Sequence, residues 1–151
     1  MENERKTDRS ADMGMDEHRL SDILLASQIK ATDIYETPPQ IIWIDNSTIA
    51  TLGNFSASTG KAKSKKTFNV SALVAASLAG KQVLNYRAHL PEGKQRILYV
   101  DTEQSRFHCR SVLERILRLA GLPTTTDPEN LDFFCLREYS PSVRVEVIDY
   151  A

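Results

Sequence analysis

The sequence predicts an α/β fold with a mainly parallel sheet, because short apolar runs alternate with helical patterns along the chain. Compact apolar runs at residues 41–44, 96–100 and 131–136 are typical of buried strands. Residues 105–120 repeat apolar side chains at steps of three and four, which indicates an amphipathic helix. Residues 68–79 are small and apolar almost all round, which is typical of a helix buried against a sheet.

The remaining patterns divide the chain into three parts. Residues 1–19 are polar and highly charged, so we expect a disordered tail. Residues 20–39 predict a short helix and a linker that ends in two prolines. Residues 40–151 form the predicted folded domain. Further strands are expected at 48–55 and 83–86, and residues 142–150 predict a helix, although alternating valines leave a strand open.

Composition narrows the classes of protein. The 151 residues suit one domain, with 41% hydrophobic and 26% charged residues. The net charge of −1 excludes a globally cationic nucleic-acid binder. Cys109 and Cys135 show no zinc spacing, so we expect buried free thiols in a reducing cytoplasm. The N-terminus lacks a secretory pattern, and the least polar run is too short for a bilayer, which needs about 20 residues.

A glycine- and lysine-rich loop precedes the apolar helix, and two registers could match a P-loop, which reads Gly, four residues, Gly-Lys, then Ser or Thr. The register from Gly53 to Gly60-Lys61 has the wrong length and no hydroxyl after the lysine. The register from Gly60 to Lys66-Thr67 has the right length and departs at one place, where Lys65 replaces the second glycine. If that position needs positive φ, Lys65 costs about 1 kcal/mol or more.

The second register therefore predicts a nucleotide phosphate site. Backbone N–H groups of such a loop wrap phosphate oxygens, the lysine reaches the outer phosphates and the hydroxyl binds Mg²⁺. The alternative is a solvated lysine run in a surface loop. The preceding strand and following helix favour the phosphate site, whose candidate residues are Gly60, Lys61, Ala62, Lys63, Ser64, Lys65, Lys66, Thr67 and Phe68.

A second motif follows the strand at residues 96–100. The run ends in Asp101-Thr102-Glu103, and the carboxyl ends of parallel strands face the ligand crevice of an open α/β sheet. A carboxylate placed there can orient and deprotonate an attacking water. The alternative is a surface strand end with solvated acids.

The strings TGKAKSKKTF and ILYVDTEQS resemble the RecA-like ATPase superfamily, and within it the RepA-type replicative helicases and their relatives on bacterial mobile elements. The resemblance covers roughly residues 40–151. It implies a three-layer P-loop fold, ATP and Mg²⁺ as ligands, a homo-hexamer in the full-length protein, and contact with DNA through regions outside this chain. From the short apolar runs, rather than from the resemblance, we expect no membrane association.

The same resemblance assigns roles to single residues. Lys66 is expected to bind phosphate, and Thr67 to bind Mg²⁺, with Asp101 beside the metal. Glu103 is the expected catalytic glutamate. Gln104 and Ser105 belong to the motif without an assigned role.

One expected part of such a core is missing. Residues 131–136 are followed by Arg137 and Glu138, a poor match to the aspartate that ends a Walker B strand. We therefore expect a fragment or a truncated product. Two functions stay open: the segment of a DNA-directed ATPase, and a non-catalytic nucleotide-binding module, which Lys65 and the missing aspartate favour. A phosphotransferase has no substrate-binding signature in support.

Overall fold

The computed structural model describes residues 10–61 and 64–151, which form a mixed α/β protein. Its elements in chain order are α1 (Ser10–Ser27), β1 (Gln40–Ile44), β2 (Ser47–Thr51), α2 (Lys66–Ala79), β3 (Tyr86–Ala88), β4 (Ile97–Asp101), α3 (Arg106–Ala120), β5 (Leu131–Cys135) and α4 (Pro141–Tyr150). The chain divides into two compact units, Met1–Thr37 and Pro38–Ala151. Each unit is described by itself below.

Helix α1 belongs to the first unit and corrects one expectation. It begins at Ser10, so residues 10–19 are helical rather than a disordered tail, while residues 1–9 lie outside the described residues. The reason is local, because Ala, Met and Leu recur through the helix and all favour helical backbone. Its side chains Leu24 and Leu25 are each 71% exposed. Within the described ranges, no helix has both the length and the apolar character needed to cross a membrane.

The second unit begins with a three-stranded sheet in the order β2-β1-β3. Both of its strand pairs are antiparallel, so the expectation of a mainly parallel sheet is wrong for this part of the chain. For β1 and β2 the physical reason is the short connection from Ile44 to Ser47. Asp45 adopts a φ of 51° there, a left-handed conformation that Asp tolerates, and so short a link can join only antiparallel strands.

Strands β4 and β5 form a separate two-stranded parallel sheet, as the sequence predicts. The pairing runs from Ile97 opposite Leu131 to Asp101 opposite Cys135. Helix α3 supplies the crossover between them, which parallel strands require. Their carboxyl ends therefore lie side by side.

Two predicted strands differ in their bounds, and the helix predicted at residues 142–150 is confirmed. The strand expected at residues 83–86 is found three residues later, because Leu84 has a φ of 54° and turns the backbone before β3. The strand expected at 48–55 ends at Thr51, ahead of Gly53 with a φ of 80°. Residues 141–150 are helical, so the strand alternative for the alternating valines is wrong. Pro141 at the first helical position favours that outcome.

The core of the second unit lies where α2 packs against α3, β3 and β4. Small α2 side chains such as Ala72, Ala75 and Ala76 are fully buried. Ile116 of α3 is fully buried as well. The predicted periodicity of α3 is confirmed, since the helix starts after Ser105 and ends at Gly121. This packing holds the middle of α2, and the lysine-rich loop lies directly before the first turn of that helix.

Candidate functional site

The lysine of the predicted phosphate loop is folded back onto the loop itself. Lys66 is the first residue of α2, and its Nζ donates hydrogen bonds to the carbonyl oxygens of Gly60 at 2.7 Å and Lys61 at 3.1 Å. Both acceptors are neutral carbonyls, whereas a phosphate oxygen is a charged acceptor and forms a stronger bond. A phosphate oxygen that enters the loop would therefore compete well with the two carbonyl oxygens for the Lys66 ammonium.

A side chain at position 60 would meet Ser64. A Cβ atom built on Gly60 would lie 2.7 Å from the Ser64 Oγ and 3.4 Å from its Cβ, so any other residue would require the Ser64 hydroxyl to rotate away. The N–H of Ser64 also donates to the Lys61 carbonyl at 3.2 Å. The loop thus closes on itself across its first and fifth positions.

Lys65 adopts the left-handed backbone conformation that the P-loop pattern assigns to glycine, with φ 62° and ψ 22°. Its carbonyl accepts the N–H groups of Phe68 at 3.0 Å and Asn69 at 3.1 Å, so this residue starts α2. A non-glycine residue in that region is disfavoured by about 1–2 kcal/mol. Lys65 therefore bears the backbone strain that the sequence predicts for a non-glycine residue with positive φ at this position.

The other loop residues surround the start of α2. Thr67 and Phe68 lie in its first turn and are exposed, as is Lys61. Ala62 and Lys63 lie outside the described residues. The first N–H groups of a helix have no partners within the helix and carry its positive dipole end, so this arrangement favours an anion.

The second motif forms a tight turn at the carboxyl end of β4. The Asp101 side chain is 8% exposed, and its Oδ1 accepts the N–H groups of Glu103 at 2.9 Å and Gln104 at 2.7 Å. Its Oδ2 accepts the Gln104 side-chain amide at 2.7 Å. A carboxylate offers about four acceptor positions, so three hydrogen bonds leave little room for a metal ion. The main role of the Asp101 carboxylate is therefore to stabilise the conformation of this turn.

Glu103 is held on the outside of that turn. Its backbone N–H is fixed by Asp101, while its side chain is exposed. In the described part of the chain, its carboxylate has no hydrogen bond or ion pair, and no three His, Cys, Asp or Glu side chains cluster as a metal site would need. Glu103 therefore supplies a solvent-accessible carboxylate on a braced backbone.

The two motifs are connected through packing rather than through direct bonds. Within residues 10–61 and 64–151, no hydrogen bond or ion pair joins the loop to the Asp101 turn. Helix α2, which the loop starts, packs against α3 and contacts β4, and the Asp101 turn joins those two elements. The structure thus places both predicted motifs around the same pair of helices.

Gln104 and the two cysteines form a cluster that sequence reasoning missed. The Sγ atoms of Cys109 and Cys135 both lie against the Gln104 carbonyl, at 3.8 Å and 3.4 Å. Burial raises the pKa of the Cys109 thiol to about 12, and a hydrogen bond with the Cys135 side chain adds to the rise. The cysteines looked isolated because they are far apart in sequence. The expected parallel pairing of the strands on either side of α3 was the one available signal, because it brings Cys135 of β5 close to the start of that helix.

Comparison of the chain with protein-family models, curated proteins and solved structures found no match. Membership of the RecA-like superfamily therefore stays a prediction from the two motifs. The loop and turn geometries described above are the physical basis for assigning a function.

Replacing Lys65 with glycine is expected to stabilise the protein by about 1 kcal/mol, because glycine adopts positive φ without the penalty from Cβ. Lys65→Ala is the matched control, since it removes the charge but keeps the Cβ. Urea unfolding of the three proteins measures the difference. Equal stabilisation by both substitutions would point to charge repulsion instead of backbone strain.

Alkaline pH is expected to destabilise the fold through Cys109. Because the folded pKa is raised from 9.0 to about 12, the unfolded chain loses the thiol proton first. The stabilising contribution is therefore complete below pH 9.0 and is lost as the pH rises towards about 12. Thermal unfolding across this range measures it. Cys109→Ala should flatten the decline, and Tyr99→Phe controls for Tyr99, whose pKa burial and Asp101 also raise.

Proposed function

We propose that this chain binds ATP through residues 60–67, as the nucleotide-binding part of a RecA-like ATPase. The observation that carries the proposal is the Lys66 ammonium, which is held over the loop by the Gly60 and Lys61 carbonyls at the start of α2. A solvated lysine run would extend its side chains into water. A lysine folded onto its own loop, beside free helix N–H groups, supports an anion site instead.

Binding would proceed by exchange of partners within the loop. Phosphate oxygens would replace the two carbonyl oxygens as acceptors for the Lys66 ammonium. The first N–H groups of α2, at the positive end of the helix dipole, would point at the same anion. Gly60 permits the tight loop that brings these donors together. Thr67, exposed in the first turn, would offer its hydroxyl to a Mg²⁺ ion, and this ion would supply neutralisation of phosphate charge when bound.

Hydrolysis in this proposal depends on Glu103. Its exposed carboxylate would orient and deprotonate the attacking water, while Asp101 holds the backbone beneath it. Phosphoryl transfer is catalysed mainly by positioning and charge neutralisation, so the braced turn is well suited to this task. Because Asp101 accepts three hydrogen bonds, we assign it the positioning of Glu103 ahead of metal binding.

For the full-length protein, we propose by the same resemblance a hexameric ATPase that acts on DNA in replication or mobilisation of a mobile element. The three-layer P-loop architecture belongs to this proposal. The parallel β4–β5 pair with its α3 crossover supports it, because this unit places the acidic turn at the carboxyl edge of a sheet.

A non-catalytic nucleotide-binding module is the second candidate. Two observations favour it: the strained Lys65 in place of glycine, and the Asp101 carboxylate already filled by backbone and amide donors. Such a module would bind ATP without turnover. The two candidates therefore agree on binding and differ on hydrolysis.

Lys66→Ala is expected to weaken ATP binding by about tenfold to one hundredfold, because the variant loses charge-assisted hydrogen bonds to phosphate. Lys81→Ala is the matched control, since Lys81 is an exposed lysine that follows the C-terminal end of α2. Calorimetric titration measures both affinities, and circular dichroism checks folding. An unchanged affinity in Lys66→Ala would refute the register that ends in Lys66-Thr67.

Glu103→Gln is expected to leave ATP affinity within a few-fold of the native value and to reduce turnover by about 100-fold or more, because water loses its general base. Phosphate release by the full-length protein, with and without single-stranded DNA, is the measurement. Absence of turnover in the native protein under both conditions, together with normal binding, would establish the non-catalytic module.

A further inference from the structure

The thiols of Cys109 and Cys135 both approach Gln104, which donates hydrogen bonds to Asp101 in the turn after β4. Cys109 is 4% exposed in α3, and Cys135 is partly exposed at the end of β5. Their Sγ atoms approach the same Gln104 carbonyl oxygen, at 3.8 Å and 3.4 Å. The ATP-binding proposal uses neither thiol.

We propose that Cys109 and Cys135 close a reversible disulfide when a hydroperoxide reaches them, and that this bond loosens the Asp101–Gln104 turn. The cross-link itself is independent of nucleotide binding. Any effect of the loosened turn on ATP turnover rests on the function proposed above for Glu103.

An oxidant has access to the pair. Both cysteines line a cavity of about 460 Å³ between α3, β5 and α4, together with Arg106 and Phe134. This is ample for hydrogen peroxide, since one water occupies about 30 Å³ in the liquid. Cys135 is the more exposed thiol, while burial raises the pKa of Cys109 and keeps it protonated at neutral pH. Cys135 therefore reacts first.

The two steps balance as follows. The Cys135 sulfur attacks one peroxide oxygen, the O–O bond breaks, and the products are a sulfenic acid and water. The Cys109 sulfur then displaces the hydroxyl group from the Cys135 sulfur, and its proton leaves with that group as a second water. In total the thiol pair loses two electrons and two protons, and hydrogen peroxide is reduced to two waters.

Oxidation removes the hydrogen-bond donors that hold Gln104. Each S–H donates to the Gln104 carbonyl, and a disulfide has no S–H to give. The same residue grips Asp101 through its backbone N–H and its side-chain amide. A shift of Gln104 is thus passed to the Asp101 carboxylate, which also holds the Glu103 N–H.

The experiment exposes the reduced full chain to hydrogen peroxide, blocks remaining thiols with iodoacetamide and maps its peptides without reduction. We expect one intramolecular cross-link between the Cys109 and Cys135 peptides, reversed by dithiothreitol. Hydrogen–deuterium exchange at the Glu103 and Gln104 amides should become about fivefold faster in the oxidised protein, because each loses part of one hydrogen bond. ATP affinity of the reduced protein, measured in parallel, tests the proposed function separately.

Two variants assign the order of events. Cys109→Ser should leave a Cys135 sulfenic acid that dimedone traps, whereas Cys135→Ser should yield neither cross-link nor faster exchange. Because Cys135 is only partly buried, its variant is the one least sensitive to folding. Oxidation of Cys109 alone, cross-links only between molecules, or a cross-link with unchanged amide exchange would each overturn the proposal.

Discussion

The close packing of α2 against α3 is the constraint on which both halves of the site depend. Ser71, Ala72, Ala75 and Ala76 are fully buried on α2, and small side chains of this kind let a neighbouring helix approach closely. The same helix contacts β3 of the antiparallel sheet and β4 of the parallel sheet. The buried middle of α2 is therefore held from several sides, and the first turn of the helix and the loop before it continue from that segment.

The start of α2 helps to hold Lys65 in a backbone conformation suited to glycine, because the Lys65 carbonyl accepts the Phe68 and Asn69 N–H groups. Left-handed backbone costs a residue with a Cβ about 1–2 kcal/mol, and such strain persists where the surroundings over-determine it. Two unit charges 4 Å apart attract each other by about 1 kcal/mol in water and about 4 kcal/mol near a protein surface. The Lys65 ammonium could thus offset its own strain if it comes that close to a phosphate oxygen, which glycine could not do.

How much the sequence could predict depended on whether the signal was local. The three- and four-residue periodicity predicted α3 to within one residue. The spacing from Gly60 to Thr67 is an equally local signal, and the phosphate loop that it predicts stays a prediction. The antiparallel sheet was not predicted, because the two-residue turn at Asp45 that joins β1 and β2 does not belong to a pattern of alternating strands and helices. The strand at Tyr86 shifted because Leu84 adopts positive φ, which no residue preference of leucine indicates. The thiol cluster depends on the register that sets Asp101 opposite Cys135, and register is a property of the folded sheet.

The acidic turn shows why residues of one motif should not be given similar roles on chemistry alone. Asp101 and Glu103 carry the same functional group two residues apart, yet one is 8% exposed with three donors and the other is open to water. A buried carboxylate that is satisfied by backbone N–H groups stabilises a conformation, because removing it would leave those donors unpaired. The exposed carboxylate can change partners at little cost. Gln104 then links the two roles to the thiols, since it donates to Asp101 on one side and accepts from both cysteines on the other. The position of Glu103 therefore depends on contacts that reach from β4 to α3 and β5.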